Sequence, residues 1–373
     1  MKETPALFTP IKLRGLTLAN RVVVSPMCQY SAQDGCASDW HLMHLGQFAV
    51  TGVGLVIIEM TNVESRGRIS PYCMGLYNDS NERALSRVVK FCKEYGNSPI
   101  GIQLAHAGRK ASTLPPWEGR KTVSVKEGGW QPVAPSPIAA GPGATEPVAL
   151  TRGEIEDLVQ AFAQAAQRAH RSGIDAIEIH AAHGYLLHQF LSPLSNRRDD
   201  EYGGTLEKRM RFPLAVFRAI RKVWPQDKPL GVRVSATDWV DGGWDLEQTL
   251  AFAHALKTLE VDWIDVSSGG LVKGQKIETG PGYQVPFAEK IRNETGVTTI
   301  SVGMITEPEQ AEAIVAGGKA DMVALARGML YDPHWAWHAA EALGGQVSYP
   351  NQYLRCRPWV RNDTFAEREA ARS

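Results

Sequence analysis

Two rhythms of polar and apolar residues alternate along the chain. Short runs rich in Val, Ile and Leu recur, and longer stretches between them return an apolar residue every three or four positions. The short runs are Arg21–Ser25, Gly54–Met60, Pro99–His106, Ala176–His180, Pro229–Ser235, Trp263–Ser267, Thr298–Gly303 and Met322–Ala326. Helical spacing covers Asn81–Tyr95, Thr151–Ser172, Leu206–Trp224, Asp245–Leu259, Pro286–Thr295, Glu307–Ala316 and Pro333–Leu343. Thr151 and Glu154 form a capping-box pair at the start of the second of these.

Strands alternating with helices predict an α/β chain built on a parallel sheet. Several strands are apolar almost without interruption, as expected where helices cover one face and a packed interior the other. No GxGxxG turn follows the first strand, so the pattern fits a closed (β/α)8 TIM barrel better than an open doubly wound sheet. The barrel is expected over residues 1–343 as one domain, with a tail over 344–373. Three segments exceed the minimal barrel. Residues 7–18 read as a hairpin plugging the barrel bottom. Residues 107–150, rich in Gly and Pro around Trp117 and Trp130, form a loop long enough to cap or serve a site. The tail carries Tyr353, Arg355, Arg357 and Trp359.

Composition narrows the function classes. The chain has 373 residues, 43% hydrophobic and 21% charged, an ordinary globular mix that needs no disulfide staple. Lys plus Arg and Asp plus Glu are each 40, so no net charge favours nucleic acid or an anionic membrane. No signal peptide or membrane-spanning run is legible, and a cytoplasmic location is expected. The cysteines, at 28, 36, 73, 92 and 356, are few and irregularly spaced, without a CxxC pair. Reduced thiols are expected, not a disulfide framework or a zinc knuckle.

Barrel enzymes carry their chemistry at the C-terminal ends of the strands. Here those ends hold Ser25–Tyr30, Gln103–His106, His180–Tyr185, Arg233, Gly303–Met304 and Ala326–Gly328. His180 and His183 admit three readings: metal ligands, satisfied structural imidazoles, or paired donors to a substrate oxygen. The neighbouring rim offers Gln103 and Arg233, not a third ligand, which disfavours metal. His41 and His44 fall in an expected helix and read as structural. Gly303 permits close backbone approach, and Arg327 supplies a fork for phosphate oxygens, although a rim salt bridge is its alternative. With Gln103 and Arg233 at other strand ends, these residues suit a nucleotide-like cofactor with a polar ring.

At these residues the chain resembles the Old Yellow Enzyme family of FMN-dependent ene-reductases, in its bacterial thermophilic-like and xenobiotic reductase branch. The motifs are SPMCQY (25–30), QLAHAGRK (103–110), HAAHGYLLHQFLSPLSNRRDDEYGG (180–204), VGMI (302–305) and ARGMLYDP (326–333). The resemblance implies non-covalent FMN lined by Ser25, Pro26, Met27 and Cys28, with Met60 on its ring where relatives often carry alanine. Gln103 would meet the pyrimidine edge, Arg233 the N1 edge, and Gly303, Ala326 and Arg327 the phosphate. His180 and His183 would hold the oxygen of an enone, maleimide, quinone or nitro compound, Tyr185 would donate the proton, and Tyr30 would close the pocket. NADPH or NADH would be the reductant. The resemblance also implies a homodimer or homotetramer in which Arg355, or Arg357, reaches the neighbouring site. A metal-dependent barrel hydrolase and a non-catalytic flavin carrier remain the competing readings. A dienoyl-CoA reductase type with an iron–sulfur cluster is disfavoured, since only Cys356 follows Cys92.

Overall fold

The computed structural model describes residues 4–358, so Trp359 and the rest of the tail lie outside the described residues. Its centre is a closed parallel barrel in which each strand pairs with the next in the chain and the last returns to the first. The strands are β1 (Val22–Val24), β2 (Leu55–Asn62), β3 (Ile100–Ala105), β4 (Ala176–Ala181), β5 (Leu230–Ser235), β6 (Trp263–Ser267), β7 (Thr299–Ser301) and β8 (Met322–Leu325). The helices that follow them are α1 (Asp39–Ala49), α2 (Asp79–Tyr95), α3 (Arg152–Arg171), α4 (Leu206–Val223), α5 (Leu246–Thr258), α6 (Val285–Thr295), α7 (Pro308–Ala316) and α8 (Trp335–Leu343). This is the (β/α)8 architecture read from the sequence. The Thr151–Glu154 capping box opens α3 as expected.

Two short helices, Leu186–Leu191 after β4 and Arg327–Tyr331 after β8, were not legible as elements. Neither is long enough to display a period. The hairpin pairs Ile11–Leu13 antiparallel with Leu16–Leu18, and it does plug the barrel floor. Leu13 and Leu18 pack with Val23, Leu55, Ile57, Trp263, Ile300 and Met322 in a cluster separate from the shell between strands and helices. Gly231 is required here, because a Cβ would lie 2.0 Å from the indole of Trp263.

Side chains alternate in and out along a strand, and in a barrel the inward ones stack in layers. On β4 the alternation carries Ala176 in the apolar floor, Glu178 above it and His180 at the rim. Register places Glu178 beside Gln103 of β3 and Asp265 of β6 beside Arg233 of β5. A polar layer therefore separates the floor from the mouth. The 107–150 loop folds over that mouth, with a two-residue parallel pair, Val133–Ala134 with Val148–Ala149, and the Trp130 indole donating to the Arg66 carbonyl at 2.7 Å.

Candidate active site

The polar layer is a buried charge network that reaches the rim cavity only through Arg233. Gln103 Nε2 donates to Glu178 Oε1 at 2.8 Å, and the Trp263 indole donates to the other Glu178 oxygen at 3.3 Å. Arg233 Nε lies 3.2 Å from Asp265 Oδ2 and makes no hydrogen bond to any described residue. Burial pushes the Glu178 carboxyl up to about 8; the neighbouring Asp265 adds to this, while Arg233, Gln103 and Trp263 oppose it. Burial also raises Asp265, against Arg233. Both shifts favour one proton on the pair at neutral pH, and we place it on Glu178 because the guanidinium beside Asp265 favours the charge there.

This has a measurable consequence. Between the ordinary glutamate value of 4.5 and about 8, the folded chain keeps a proton that the unfolded chain releases. Stability from this group is therefore full in acid, falls as pH rises through that window and levels off above it. Glu178→Gln has no such proton, so the stability of wild type relative to the variant should fall from pH 5 to pH 8 in denaturant titrations. A difference that is independent of pH would refute the proton on Glu178.

Above the network stand the histidines. The backbone N–H of Ala182 donates to His180 Nδ1 at 3.2 Å, which fixes the proton on Nε2 and leaves that N–H without a partner among the described residues. His183 turns back at φ 56°, a left-handed conformation that costs a non-glycine residue about 1–3 kcal/mol. Its ring Nε2 lies 2.7 Å from Ser267 Oγ, and its N–H donates to Ser235 Oγ at 2.9 Å. The two imidazoles meet edge to face, 5.2 Å apart, and the His180 ring lies 4.9 Å from that of Tyr185. Burial holds both imidazoles well below their usual range, with Arg233 reinforcing it, so they are neutral at neutral pH. Burial holds the Tyr185 hydroxyl well above its usual range, so it keeps its proton. The same effect, with Glu59 adding to it, keeps Cys28 a neutral thiol.

The loop after β1 is anchored from outside the barrel. Gln29 N–H donates to Glu59 Oε2 at 3.2 Å, and His41 Nε2 contacts Glu59 Oε1 at 3.0 Å. His41 and His44 are buried on α1, as the structural reading expected. A register shift between Ile58 and Thr61 brackets Met60, which packs with Cys73, Ala105, Ala107 and Ala111 against Cys28, Tyr30 and Tyr185. Tyr30 adopts φ 50° and meets Trp117 of the long loop edge-on at 5.8 Å.

Two cavities open on this rim. One, of about 720 Å³, is lined by Ser25, Arg233, Gly303, Ala326 and Arg327, five residues expected at a cofactor. Arg327 is exposed and forms no ion pair with a described residue, so the salt-bridge alternative does not hold. The first amides of the Arg327–Tyr331 helix lack intrahelical partners, as at any helix start. The other cavity, of about 730 Å³, runs outward from Tyr30 and Tyr185 under the long loop. Among the described residues no cluster of three His, Cys, Asp or Glu could hold a metal ion, and no helix is long and apolar enough to cross a membrane.

Some site residues had no role assigned from sequence. Lys110 donates to the carbonyls of His183 and Gly270, and its ammonium lies 5.4 Å from the Tyr185 ring centre. Desolvation lowers it to about 8, with Arg109 and Arg120 contributing. Glu178 and Asp265 belong with it, as inward-facing residues of the polar layer. Each lies two residues before a rim residue, His180 and Ser267, so strand alternation marks it as inward-facing without revealing its partners.

A family model described as the NADH:flavin oxidoreductase / NADH oxidase family matches residues 6–345. An NADPH dehydrogenase of Geobacillus thermodenitrificans is 46% identical over 351 residues, covering 94% of this chain and 98% of the relative. Among solved structures, morphinone reductase superposes with a TM-score of 0.77 at 30% identity, covering 94% of this chain and 92% of that one. A 2-naphthoyl-CoA reductase complex gives a TM-score of 0.82 at 26% identity over 90% of this chain. The match spans only 52% of that longer protein.

Proposed function

The chain belongs to the NADH:flavin oxidoreductase / NADH oxidase family, the Old Yellow Enzyme family whose motifs it carries, and from that premise we propose that it reduces activated carbon–carbon double bonds. As a member it is an NAD(P)H-dependent flavin oxidoreductase that uses FMN. The finer reading rests on one observation. An unpartnered His180 Nε2–H and a protonated Tyr185 hydroxyl flank the same mouth, with ring centres 4.9 Å apart.

The residues present fit the cofactor. Arg233 has guanidinium nitrogens to spare at a cavity wall, and Gln103, whose amide nitrogen is committed to Glu178, keeps its oxygen as an acceptor. Ser25, Pro26, Met27, Cys28 and Met60 would line its ring, and Gly303, Ala326 and Arg327 would hold its phosphate. When bound, FMN supplies the two-electron relay from NADPH to the β-carbon of the alkene. A fixed cation at Arg233 favours the reduced, more negative state. His180 and His183 hold the carbonyl or nitro oxygen as neutral donors and withdraw electron density from the double bond. For His183 this requires the proton on Nδ1, with Ser267 donating to Nε2. Tyr185 delivers the proton to the α-carbon.

The same reading has Arg355 completing a neighbouring subunit's site in a homodimer or homotetramer. It stands exposed on the turn Asn351–Cys356 and lines neither cavity of its own chain, whereas Arg357 is engaged over Tyr349 at 5.7 Å. The test of the activity is isotopic. Turnover of cyclohexenone in D₂O should place solvent deuterium at the α-carbon, and NADPH deuterated at its transferable position should label the β-carbon. Solvent deuterium at the β-carbon, or no turnover, would sink the proposal.

A further inference from the structure

The outer cavity has a feature that alkene reduction does not use. Its charged wall residues are Arg109, Lys110, Arg120, Lys121 and Lys273, and no Asp or Glu lines it. In a chain whose acids and bases number 40 each, that is a local segregation of charge. The five come from the buried start of the 107–150 loop, from its exposed stretch at 120–121 and from the segment after β6.

The inner pair is held by carbonyls, not by counter-ions. Arg109 donates to Leu271 O at 2.9 Å and Lys110 to His183 O at 2.7 Å. Hydrogen bonds to carbonyls fix these cations in place without a direct ion pair, although the charge of Asp238 acts on Arg109. The outer three, Arg120, Lys121 and Lys273, are exposed and pair with no carboxylate among the described residues. Arg120 lines the same cavity as Tyr30 and Tyr185, and its charge acts on both. A concave wall of one sign concentrates ligands of the other, and guanidinium and ammonium groups suit phosphate oxygens.

We infer that this vestibule is an anion subsite for the phosphates of a ligand whose other end reacts between the histidines and Tyr185, foremost the 2′-phosphate that distinguishes NADPH from NADH. What reacts there rests on the function proposed above; that the wall binds phosphate does not. A phosphate carried by the electron acceptor would meet the same groups.

The test uses the FMN-loaded enzyme and Arg120→Gln, Lys121→Gln and Lys273→Gln, singly and together. All three side chains are exposed, so folding is retained. Each exposed charge is worth a factor of about two to five in affinity. The triple variant should raise KM for NADPH by about tenfold or more, with a smaller rise for NADH. It should also flatten the salt dependence of kcat/KM for NADPH. Calorimetry with adenosine 2′,5′-bisphosphate should show binding to wild type that the triple variant loses, a readout that survives even if no nucleotide is oxidised. If KM shifts only for a phosphopantetheine thioester acceptor, the subsite stands and belongs to the acceptor. Unchanged constants for both ligand classes, with bisphosphate binding absent or equal in both proteins, would overturn it.

Discussion

Tyr185→Phe is expected to slow reoxidation of the reduced enzyme by an enone by about 10²–10⁴-fold, the usual worth of a positioned general acid. Reduction of the same variant by NADPH should proceed at the wild-type rate, because that half-reaction draws no proton from the hydroxyl. The substitution keeps the ring that meets His180 at 4.9 Å and the Lys110 ammonium at 5.4 Å, and among the described residues it removes no hydrogen bond of the fold. Anaerobic stopped-flow mixing reads each half-reaction separately. The hydroxyl is held well above its usual range by burial, with Cys28 and Tyr30 adding to it. In wild type, proton delivery should therefore stay undiminished as pH rises through the normal tyrosine range near 10. Equal slowing of both half-reactions would place Tyr185 in the packing of the site and not in its chemistry.

Arg233→Ala should cost about 3–5 kcal/mol of stability, the penalty for stripping a buried ion of its partner. Asp265, fully buried and 3.2 Å from the guanidinium, would be left beside Glu178 with no cation in reach. Two features distinguish this from simple loss of side-chain volume. The deficit should shrink in acid, where both carboxyls are protonated, and Asp265→Asn in the same chain should recover part of it in a double-mutant cycle. FMN retention should fall as well, since Arg233 lines the cavity proposed to hold the cofactor. Denaturant titration of the FMN-free proteins separates the two effects. A deficit that neither acid nor Asp265→Asn relieves would mean that the network does not depend on charge.

The barrel could be read from the chain because each strand is a short apolar run of its own, and the rim because His180, Arg233 and Arg327 sit at the ends of those runs. The hairpin floor was legible for the same reason, as apolar residues arriving before the first strand. Other features depend on contacts between segments far apart in sequence. Glu178 and Asp265 hide inside apolar runs, and only barrel closure and stagger bring them under Arg233 and Gln103. The motif containing Lys110 was visible, but its partners are backbone carbonyls at 183 and 270, which leave no mark in side-chain pattern. The left-handed turns at Tyr30 and His183 break propensity at the point of function, where strain is tolerated because surrounding contacts enforce it. The one-signed outer wall is assembled from loops whose charges look evenly mixed when read in line.

The proposed arrangement, two imidazoles and a tyrosine facing FMN over a charged barrel layer, makes a definite optical demand. Purified protein should be yellow, should bleach when NADPH is added without oxygen, and should regain its colour when an enone follows. A protein that takes up no flavin, or one that bleaches and stays bleached in the presence of the enone, would contradict it.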